Sequence, residues 1–399
     1  MVTIPMEKKH WILVSLTLLL CIICVLAVGI VMALWWHRPL GASLSLPTRT
    51  PETVMIGSTP TKLSVSTEVV ITTTKIPPTE TPIPPSSTPT ASPTPTPTDI
   101  PPVCAGPDRL LYIIAAGIDN RREDYRYGRA DVIRILRVDY VTPKVTMLTL
   151  PRDLWVELPG IKQEFDKLTH GKINTAYFYG APALDRYEGQ GGGPGLLAHT
   201  IAHNYGLYAD QYVVINMLAF EQIVDALGGI DLDLAQTWDG RADRDAEEHD
   251  AWVFEEGEHH MSGAEALRFA RIRLGYSEVN RTDNQTLVMC AIKEKMQRPQ
   301  MIGAIPEMVT AFLGKVQTDL SPAQISQLIC LLPKLDDETL QFVRFPDDMM
   351  VQGRTLDPMT DRETFIWDIP VESIREFVAD FMTDSIPMDL AGGGSRSCP

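Results

Sequence analysis

The pattern of hydrophobic and polar positions predicts a series of β-strands in the middle of the chain. Each is a short apolar or alternating run with β-branched residues, which is typical of a half-buried or buried strand. The predicted strands are Leu110–Ile118, Val132–Val138, Lys144–Leu150, Tyr212–Asn216, Ile230–Leu234 and Leu340–Phe345. Val141, Thr142 and Pro143 form a turn signal between the second and third strands and predict a hairpin there.

Stretches with apolar residues at helical spacing are interspersed with these strands. One face of Leu218–Leu227 is apolar, and the Gly-Gly pair that follows supplies a stop signal. Ser262 and Glu265 match a capping box, which predicts a helix that continues through Arg271. Further helices are predicted at Asn284–Met296, Ser321–Leu332 and Glu372–Met382. Strands mixed with helices predict an α/β fold with α/β/α layers around a mixed central sheet. The part after Pro299 is expected to complete or flank the same core.

The N-terminal region predicts a membrane anchor. No charged residue occurs from Trp11 to Trp36, and at about 1.5 Å per residue such a helix crosses a bilayer core of roughly 30 Å. Lys8 and Lys9 precede the segment, so the N-terminus is expected to be cytoplasmic and everything after Arg38 extracytoplasmic. The alternative is a cleaved signal peptide. Its apolar region would be only about 7–15 residues long, so an uncleaved single-pass anchor is favoured.

The segment from Pro39 to Val103 is rich in Thr, Pro and Ser and contains few large apolar residues. Such a composition cannot bury a core, and proline favours extended polyproline II. We predict a disordered stalk that lifts a folded domain off the membrane. The predicted organisation is a cytoplasmic N-terminus at 1–10, a transmembrane helix at 11–36, a linker at 37–103, a folded domain at 104–300 and a C-terminal extension at 301–399.

Length and charge narrow the class of protein further. The chain has 399 residues, 44% of them hydrophobic, and a formal net charge of −16. This is enough for one large core with appendages. The acidic balance argues against general nucleic-acid binding, which needs a basic face. Arginines at the ends of core elements are therefore local exceptions in an acidic protein.

Four cysteines lie beyond the predicted membrane span, and an even number in an oxidising compartment permits two disulfides. Cys290 and Cys330 fall on two apolar, helix-like stretches. The favoured pairing joins Cys290 to Cys330 and leaves Cys104 and Cys398 to tie the ends of the domain together. Four buried or free thiols are the alternative.

Two acids and several arginines at the ends of predicted elements suggest a metal ion beside phosphate groups. Asp119 and Asp131 each lie at the edge of an apolar run, and carboxylates with phosphate oxygens are the usual ligands of Mg²⁺. N-capping or a surface position is the alternative for both acids. Arg152 follows a strand end, and its planar guanidinium suits phosphate better than lysine does. Arg271 and Arg273 both face such a site only if their helix ends near Arg271.

Seven segments between roughly residues 109 and 295 carry these candidates. They read LYIIAAGID, RADVIRILRVD, TLPRDLWV, KINTAY, INMLAFEQIVDALGGIDLDL, MSGAEALRFARIR and NRTDNQ. In this order they resemble the LytR-CpsA-Psr proteins. The resemblance implies transfer of a glycopolymer with its phosphate from a polyprenyl-pyrophosphate carrier to a sugar hydroxyl of peptidoglycan. It also implies Mg²⁺ as the cofactor and the outer face of a bacterial cell membrane as the location.

The resemblance implies roles for individual residues. Asp119 and Asp131 match the acids associated with the metal. The residues implied to surround the pyrophosphate are Arg121, Arg129, Arg152, Lys172, Asn174, Arg271, Arg273, Arg281 and Gln285. The catalytic candidates among these and their neighbours are Arg152, Asp153, Arg271 and Arg273. Asp153 either acts as a base or orients Arg152.

The chain departs from the family pattern in three places. Thr149 and Leu150 stand where the family often has Ser-Ile, and Glu278 stands where it often has Asp. Asn284 replaces an arginine that often precedes the residue matched by Gln285. One arginine fewer is expected to weaken phosphate binding or to shift it elsewhere.

Two other functions stay open on the sequence: a binding protein for pyrophosphate lipids or wall polymers, and a pyrophosphate-lipid hydrolase. A transcription regulator fits poorly with an exported acidic domain. His199 and His203 lie four residues apart and could bind zinc. No third ligand or metalloprotease motif is evident, so a packing or surface role is favoured. The acidic loop Asp239–Glu258 is interpreted as a solvated insertion, with a calcium site as the alternative.

Overall fold

The computed structural model describes Gly29, residues 31–44, Leu46 and residues 101–242, 252–273, 278–387, 394–396 and 398. None of the helices in these ranges is long and apolar enough to cross a membrane. The predicted span from Trp11 to Trp36 lies mostly outside these ranges, as do most of the predicted stalk and residues 243–251 of the acidic loop. The described residues on the two sides of Pro47–Ile100 belong to one compact unit.

Seven strands form a mixed sheet at the centre of this unit. The strands of the described chain are β1 (Leu110–Ile118), β2 (Ala130–Asp139), β3 (Lys144–Thr149), β4 (Trp155–Glu157), β5 (His170–Lys172), β6 (Gln211–Asn216), β7 (Ile230–Leu234), β8 (Trp238–Asp239), β9 (Val253–Phe254), β10 (Gly257–Met261), β11 (Gln317–Thr318), β12 (Leu340–Arg344), β13 (Gln352–Asp357), β14 (Arg362–Trp367) and β15 (Gly394–Arg396). The central sheet has the order β11-β6-β1-β2-β3-β12-β15. The remaining strands pair as β4–β5, β7–β10, β8–β9 and β13–β14.

The directions of the strands explain why several strands end at the same edge of the sheet. β1, β2 and β3 are successive antiparallel neighbours. β6 runs parallel to β1, and β12 runs parallel to β3. Four strands, β1, β3, β6 and β12, therefore point the same way and end at the same edge.

Helices cover both faces of the sheet. The helices are α1 (Ile173–Gly180), α2 (Gly192–Tyr205), α3 (Met217–Ala226), α4 (Gly263–Arg271), α5 (Glu278–Gln297), α6 (Pro299–Phe312), α7 (Pro322–Leu331) and α8 (Val371–Thr383). Neighbouring residues of β1 point to opposite faces: Ile114 packs with α1, α2 and α8, whereas Ile113 packs with α7. A third cluster joins β7 and β10 to α4 and α5. The predicted α/β fold with a mixed central sheet is confirmed.

Local sequence signals account for several elements. The predicted hairpin between β2 and β3 forms. The predicted capping box is also present, because the amide of Ser262 donates to the Glu265 carboxylate at 2.8 Å and the amide of Glu265 donates back to the Ser262 hydroxyl. Helix α4 then ends at Arg271, which is the end point that a shared site for Arg271 and Arg273 requires.

The elements that were not predicted from the sequence include α1, α2 and the hairpin of β13 and β14. Helix α2 begins with Gly-Gly-Pro-Gly and is buried at 11 of its positions, so it lacks the polar stripe that marks an amphipathic helix. Helix α1 is likewise mostly buried. The hairpin of β13 and β14 is half-exposed and contains few apolar residues. Each therefore lacks the periodic contrast on which the predictions rest.

The disulfides connect different cysteines from those predicted. Cys104 is bonded to Cys330, and Cys290 is bonded to Cys398, with Cα–Cα distances of 5.9 and 5.7 Å. The predicted pairs Cys290–Cys330 and Cys104–Cys398 are therefore wrong. The reason lies in the C-terminal strand β15, which adds to β12 at the end of the sheet and brings Cys398 to α5 instead of to the start of the domain.

Residues 40–44 and Leu46, at the start of the predicted stalk, pack on the folded domain. The amide of Leu44 donates to Oδ2 of the buried Asp319 at 3.3 Å. The hydroxyl of Tyr212 donates to the carbonyl of Ala42 at 3.1 Å. The side chain of Leu44 also packs against the main core. A disordered stalk is therefore the wrong description for this part of the linker.

Candidate functional site

The shared edge of the central sheet brings the strongest candidates together. Asp119 follows β1, and Asp131 lies near the start of the antiparallel β2. Arg152 follows β3 after a proline, and Arg344 ends the neighbouring strand β12. Crevices outside the carboxyl ends of strands are the usual ligand sites of α/β sheets. The topology therefore explains how residues far apart in sequence meet at one site.

A chain of alternating charges fixes Arg152. Its Nη1 lies 3.0 Å from Oδ2 of Asp131, and its Nε lies 3.2 Å from Oδ2 of Asp153. The other Asp153 oxygen lies 2.7 Å from Nζ of Lys172. Lys172 reaches it because β4 and β5 pair Trp155 with Lys172 directly beyond the end of β3. Both carboxylate oxygens of Asp153 pair with cationic side chains. The geometry therefore favours a role in orienting Arg152 over a role as general base.

Asn174 connects this chain to the start of α1. Its Nδ2 donates to Oδ1 of Asp131 at 3.0 Å, and its backbone amide donates to the carbonyl of Arg152 at 3.2 Å. Its own Oδ1 is buried and has no hydrogen-bond partner among the described residues. A buried acceptor without a donor is costly, so this oxygen marks a place where a ligand is expected.

Asp119 lies next to Asp131 and is held by the backbone of Arg129. The Arg129 amide donates to Oδ1 of Asp119 at 2.6 Å. Burial raises the pKa of Asp119 above its ordinary value, the Arg129 amide opposes this shift, and the negative charge of Asp131 adds to it. The two carboxylates are thus close enough to repel each other, which is the arrangement that a cation relieves.

An open cleft lies against this network. Its polar lining comes from three parts of the chain. The charged and amide side chains that line it are Asp131, Arg152, Arg281, Gln285 and Arg344. Arg281 and Gln285 are one turn apart on α5, as their spacing predicts. Arg344 was not among the sequence candidates, although it lies next to the last residue of the predicted strand Leu340–Phe345, and a position near a strand end is the signal that singled out Arg152.

The remaining candidate arginines do not line the cleft. Arg121 is mostly exposed and its Nη1 lies 3.5 Å from Glu221. The guanidinium carbons of Arg129 and Arg271 lie 5.9 and 5.8 Å from aromatic ring centroids, those of Phe178 and Trp252 respectively. The fourth, Arg273, is exposed at the end of its described range.

Asn284, one of the three departures from the family pattern, lies on α5 and does not line the cleft. Asn284 is fully buried, and neither of its amide atoms has a hydrogen-bond partner among the described residues. Two residues further on, Thr286 accepts from Nη2 of the buried Arg134 at 3.1 Å. Arg281, Thr282 and Gln285 line the cleft, whereas Asn284 is buried outside its lining.

The residues present fit a magnesium ion. Among the described residues no group of three or more His, Cys, Asp or Glu side chains could hold a metal. Mg²⁺, however, is commonly bound through one or two carboxylates together with waters and substrate phosphates. Asp119, Asp131 and the unpartnered amide oxygen of Asn174 supply hard oxygen ligands of this kind.

The two histidines on α2 bind different partners. Nδ1 of His199 lies 3.3 Å from the hydroxyl of Tyr187, and Nε2 of His203 lies 2.7 Å from Oε2 of Glu157. These contacts agree with the packing and surface role that was favoured.

Known proteins resemble this chain in sequence. A model of the LytR_cpsA_psr family matches residues 101–364. The chain is 30% identical over 221 residues to the polyisoprenyl-teichoic acid–peptidoglycan teichoic acid transferase TagU of Oceanobacillus iheyensis, covering 55% of this chain and 62% of that protein. It is 26% identical over 223 residues to the regulatory protein MsrR of Staphylococcus aureus, covering 55% and 59%. The chain thus spans about three fifths of the length of these relatives.

Solved structures share the fold. The crystal structure of B. subtilis TagV matches with a TM-score of 0.52 at 21% identity, covering 70% of this chain and 99% of that chain. A structure of TagT bound to LIIa-WTA matches with a TM-score of 0.51 at 19% identity, covering 69% and 91%. Together with the family match over most of its length, these findings show that the chain belongs to the LytR_cpsA_psr family.

Proposed function

We propose that this protein is a phosphotransferase that moves a phospho-glycopolymer from a polyprenyl-pyrophosphate carrier to a sugar hydroxyl of peptidoglycan. The observation that carries the proposal is Arg152, fixed between Asp131 and Asp153 in a cleft that Arg281 also lines. Two arginines beside a pair of carboxylates suit a pyrophosphate accompanied by a divalent cation. The relatives named as teichoic acid transferases support the same class of reaction.

Each residue has a role that follows from its contacts. Arg152 and Arg281 bind phosphate oxygens and stabilise the charge that develops on them, which is the main task in phosphoryl transfer. Asp153 and Lys172 hold Arg152 in place. Gln285 offers a neutral donor at the same cleft. The oxygen of the peptidoglycan hydroxyl forms the new bond to the phosphorus that carries the glycopolymer, and its proton passes to solvent. The bond between that phosphorus and the bridging oxygen of the pyrophosphate breaks, so that polyprenyl phosphate leaves with the bridging oxygen.

Mg²⁺ is part of this proposal, with Asp119, Asp131 and Asn174 as the residues that would hold it. When bound, it would offset the negative charge of the pyrophosphate. The location is proposed with it: a single-pass anchor at residues 11–36 would keep the cleft outside the cell membrane, within reach of the lipid carrier.

The test uses the full chain in detergent with a synthetic polyprenyl-pyrophosphate glycan and a peptidoglycan fragment. The Arg152→Ala substitution is expected to lower the transfer rate by about 10²–10³-fold, which is the usual effect of losing one group that stabilises the charge of the transition state. Arg354→Ala is the matched control, because Arg354 lies on β13 and pairs with Glu363 in an exposed position. Transfer by Arg152→Ala at the wild-type rate would refute the proposal.

The same assay separates the alternatives. A transferase releases polyprenyl phosphate only when the acceptor is present, whereas a hydrolase releases it with water alone. A binding protein retains the donor without releasing it. Treatment with EDTA is expected to abolish transfer and added Mg²⁺ to restore it; equal rates in both conditions would count against the metal.

A further inference from the structure

We propose that Arg344 is a substrate-binding residue of the cleft and that it binds an oxygen of the same phosphate group or groups as Arg152. The inference rests on the function proposed above and adds a residue from the C-terminal part of the chain. Arg344 lines the cleft together with Asp131, Arg152 and Arg281.

Strand topology places Arg344 beside the end of β3. β12 is the parallel neighbour of β3, and Val343 pairs with Leu148 in register. Continuing both strands by one residue sets Arg344 level with Thr149, which also lines the cleft. Arg152 follows three residues later in the chain. Because parallel strands end together, the two arginines approach the cleft from adjacent strand ends.

The side chain of Arg344 is fixed and still has a donor to offer. Nη1 pairs with Oδ1 of Asp347, in the turn that follows β12. Nε is buried and has no hydrogen-bond partner among the described residues. The whole side chain is only 14% exposed. A buried guanidinium N–H without an acceptor is unfavourable, and an anion in the adjoining cleft supplies the missing acceptor.

Arg344 also adds to the positive charge of the cleft. The charged side chains in its lining are the guanidinium groups of Arg152, Arg281 and Arg344 and the carboxylate of Asp131. A lining with more cations than anions suits an anionic ligand such as a phosphate group.

The test measures binding of inorganic pyrophosphate, with Mg²⁺, to the full chain in detergent by titration calorimetry. Arg344→Ala is expected to weaken binding by about 10–100-fold, the effect of one charge-assisted hydrogen bond. Arg344→Lys keeps the charge without the planar fork and is expected to fall between Arg344→Ala and wild type. Arg354→Ala is the control and is expected to bind as wild type does.

Asp347→Asn distinguishes binding from a structural role. It removes the ion-pair partner of Arg344 but leaves the guanidinium in place, so pyrophosphate affinity is expected to be kept or increased. A merely structural ion pair would make Asp347→Asn as weak as Arg344→Ala, and this result would overturn the inference. Weakening by Arg152→Ala but not by Arg344→Ala would also overturn it while leaving the proposed function intact. If neither variant weakens binding, the proposed phosphate site itself fails.

Discussion

Replacing Asp153 by asparagine tests whether this residue orients Arg152 or acts as a base. Its carboxylate binds Arg152 with one oxygen and Lys172 with the other, at 3.2 and 2.7 Å, and its side chain is 13% exposed. Asparagine keeps the shape and one acceptor but removes the charge. Hydrogen bonds to charged groups contribute about 1.5–3 kcal/mol each. We therefore expect Asp153→Asn to lower the free energy of unfolding by about 2–3 kcal/mol, measured by urea denaturation.

The two roles of Asp153 predict different kinetics. If it orients Arg152, Asp153→Asn weakens donor binding and lowers the transfer rate, while the pH dependence of the remaining activity keeps the wild-type shape. If it is the base, the rate falls with donor binding unchanged, and the acidic limb of the pH–rate profile is lost. The second pattern would refute the orienting role of Asp153.

A matched control separates this effect from the loss of any aspartate. Asp185 pairs with Lys162 at 2.7 Å but is 83% exposed, and exposed ion pairs contribute only about 0–1 kcal/mol. Its backbone has a positive φ of 49°, which asparagine tolerates. Asp185→Asn is therefore expected to leave both unfolding and transfer close to wild type.

The other predictions concern stability. Burial raises the pKa of Asp319 from 3.8 to about 6, so between these values the folded state binds a proton that the unfolded state lacks. The free energy of unfolding should thus fall as pH rises from about 4 to about 6. Asp319→Asn should remove this slope in urea denaturation, and an unchanged slope would contradict it. Peptide mapping under non-reducing conditions should recover Cys104 linked to Cys330. Replacing both by serine should lower the free energy of unfolding by about 2–5 kcal/mol, and a Cys104–Cys398 peptide would disprove the pairing.

The strands were predictable because burial on one or both faces produces a short apolar or alternating run in the sequence. β1 and β7 begin and end at the predicted residues, since each is a short apolar or alternating run between polar residues. Helices α1 and α2 left no such mark, because residues buried on most sides show no helical period. Pattern therefore predicts half-buried elements better than deeply buried ones.

The sequence predicted which residues belong to the candidate site but not which of them contact one another or line the cleft. The sequence pointed to Asp131, Arg152 and Asp153, and the structure brings these three together. It gave no means to tell which arginines line the cleft, because this depends on how α4 and α5 pack. Arg344 could have been found, because it lies near the end of the predicted strand Leu340–Phe345 just as Arg152 follows a predicted strand. It lies, however, beyond the segments that resemble the family.

The start of the linker was wrongly predicted to be disordered. Composition shows that a segment cannot form a core by itself, but it does not show whether the segment packs on another part of the chain. Residues 40–46 contain only small and aliphatic side chains around two serines, and nothing in that composition indicates a binding site elsewhere in the chain. The site is Asp319, 275 residues further on, whose carboxylate accepts from the amides of Leu44 and Tyr212. A buried carboxylate with two amide donors is a strong acceptor, so it holds an extended segment that has little core of its own. The described chain therefore meets the domain within a few residues of the helical Val31–Trp36. This contact, more than the length of the Thr- and Pro-rich segment, would set the distance between the domain and the anchor proposed at residues 11–36.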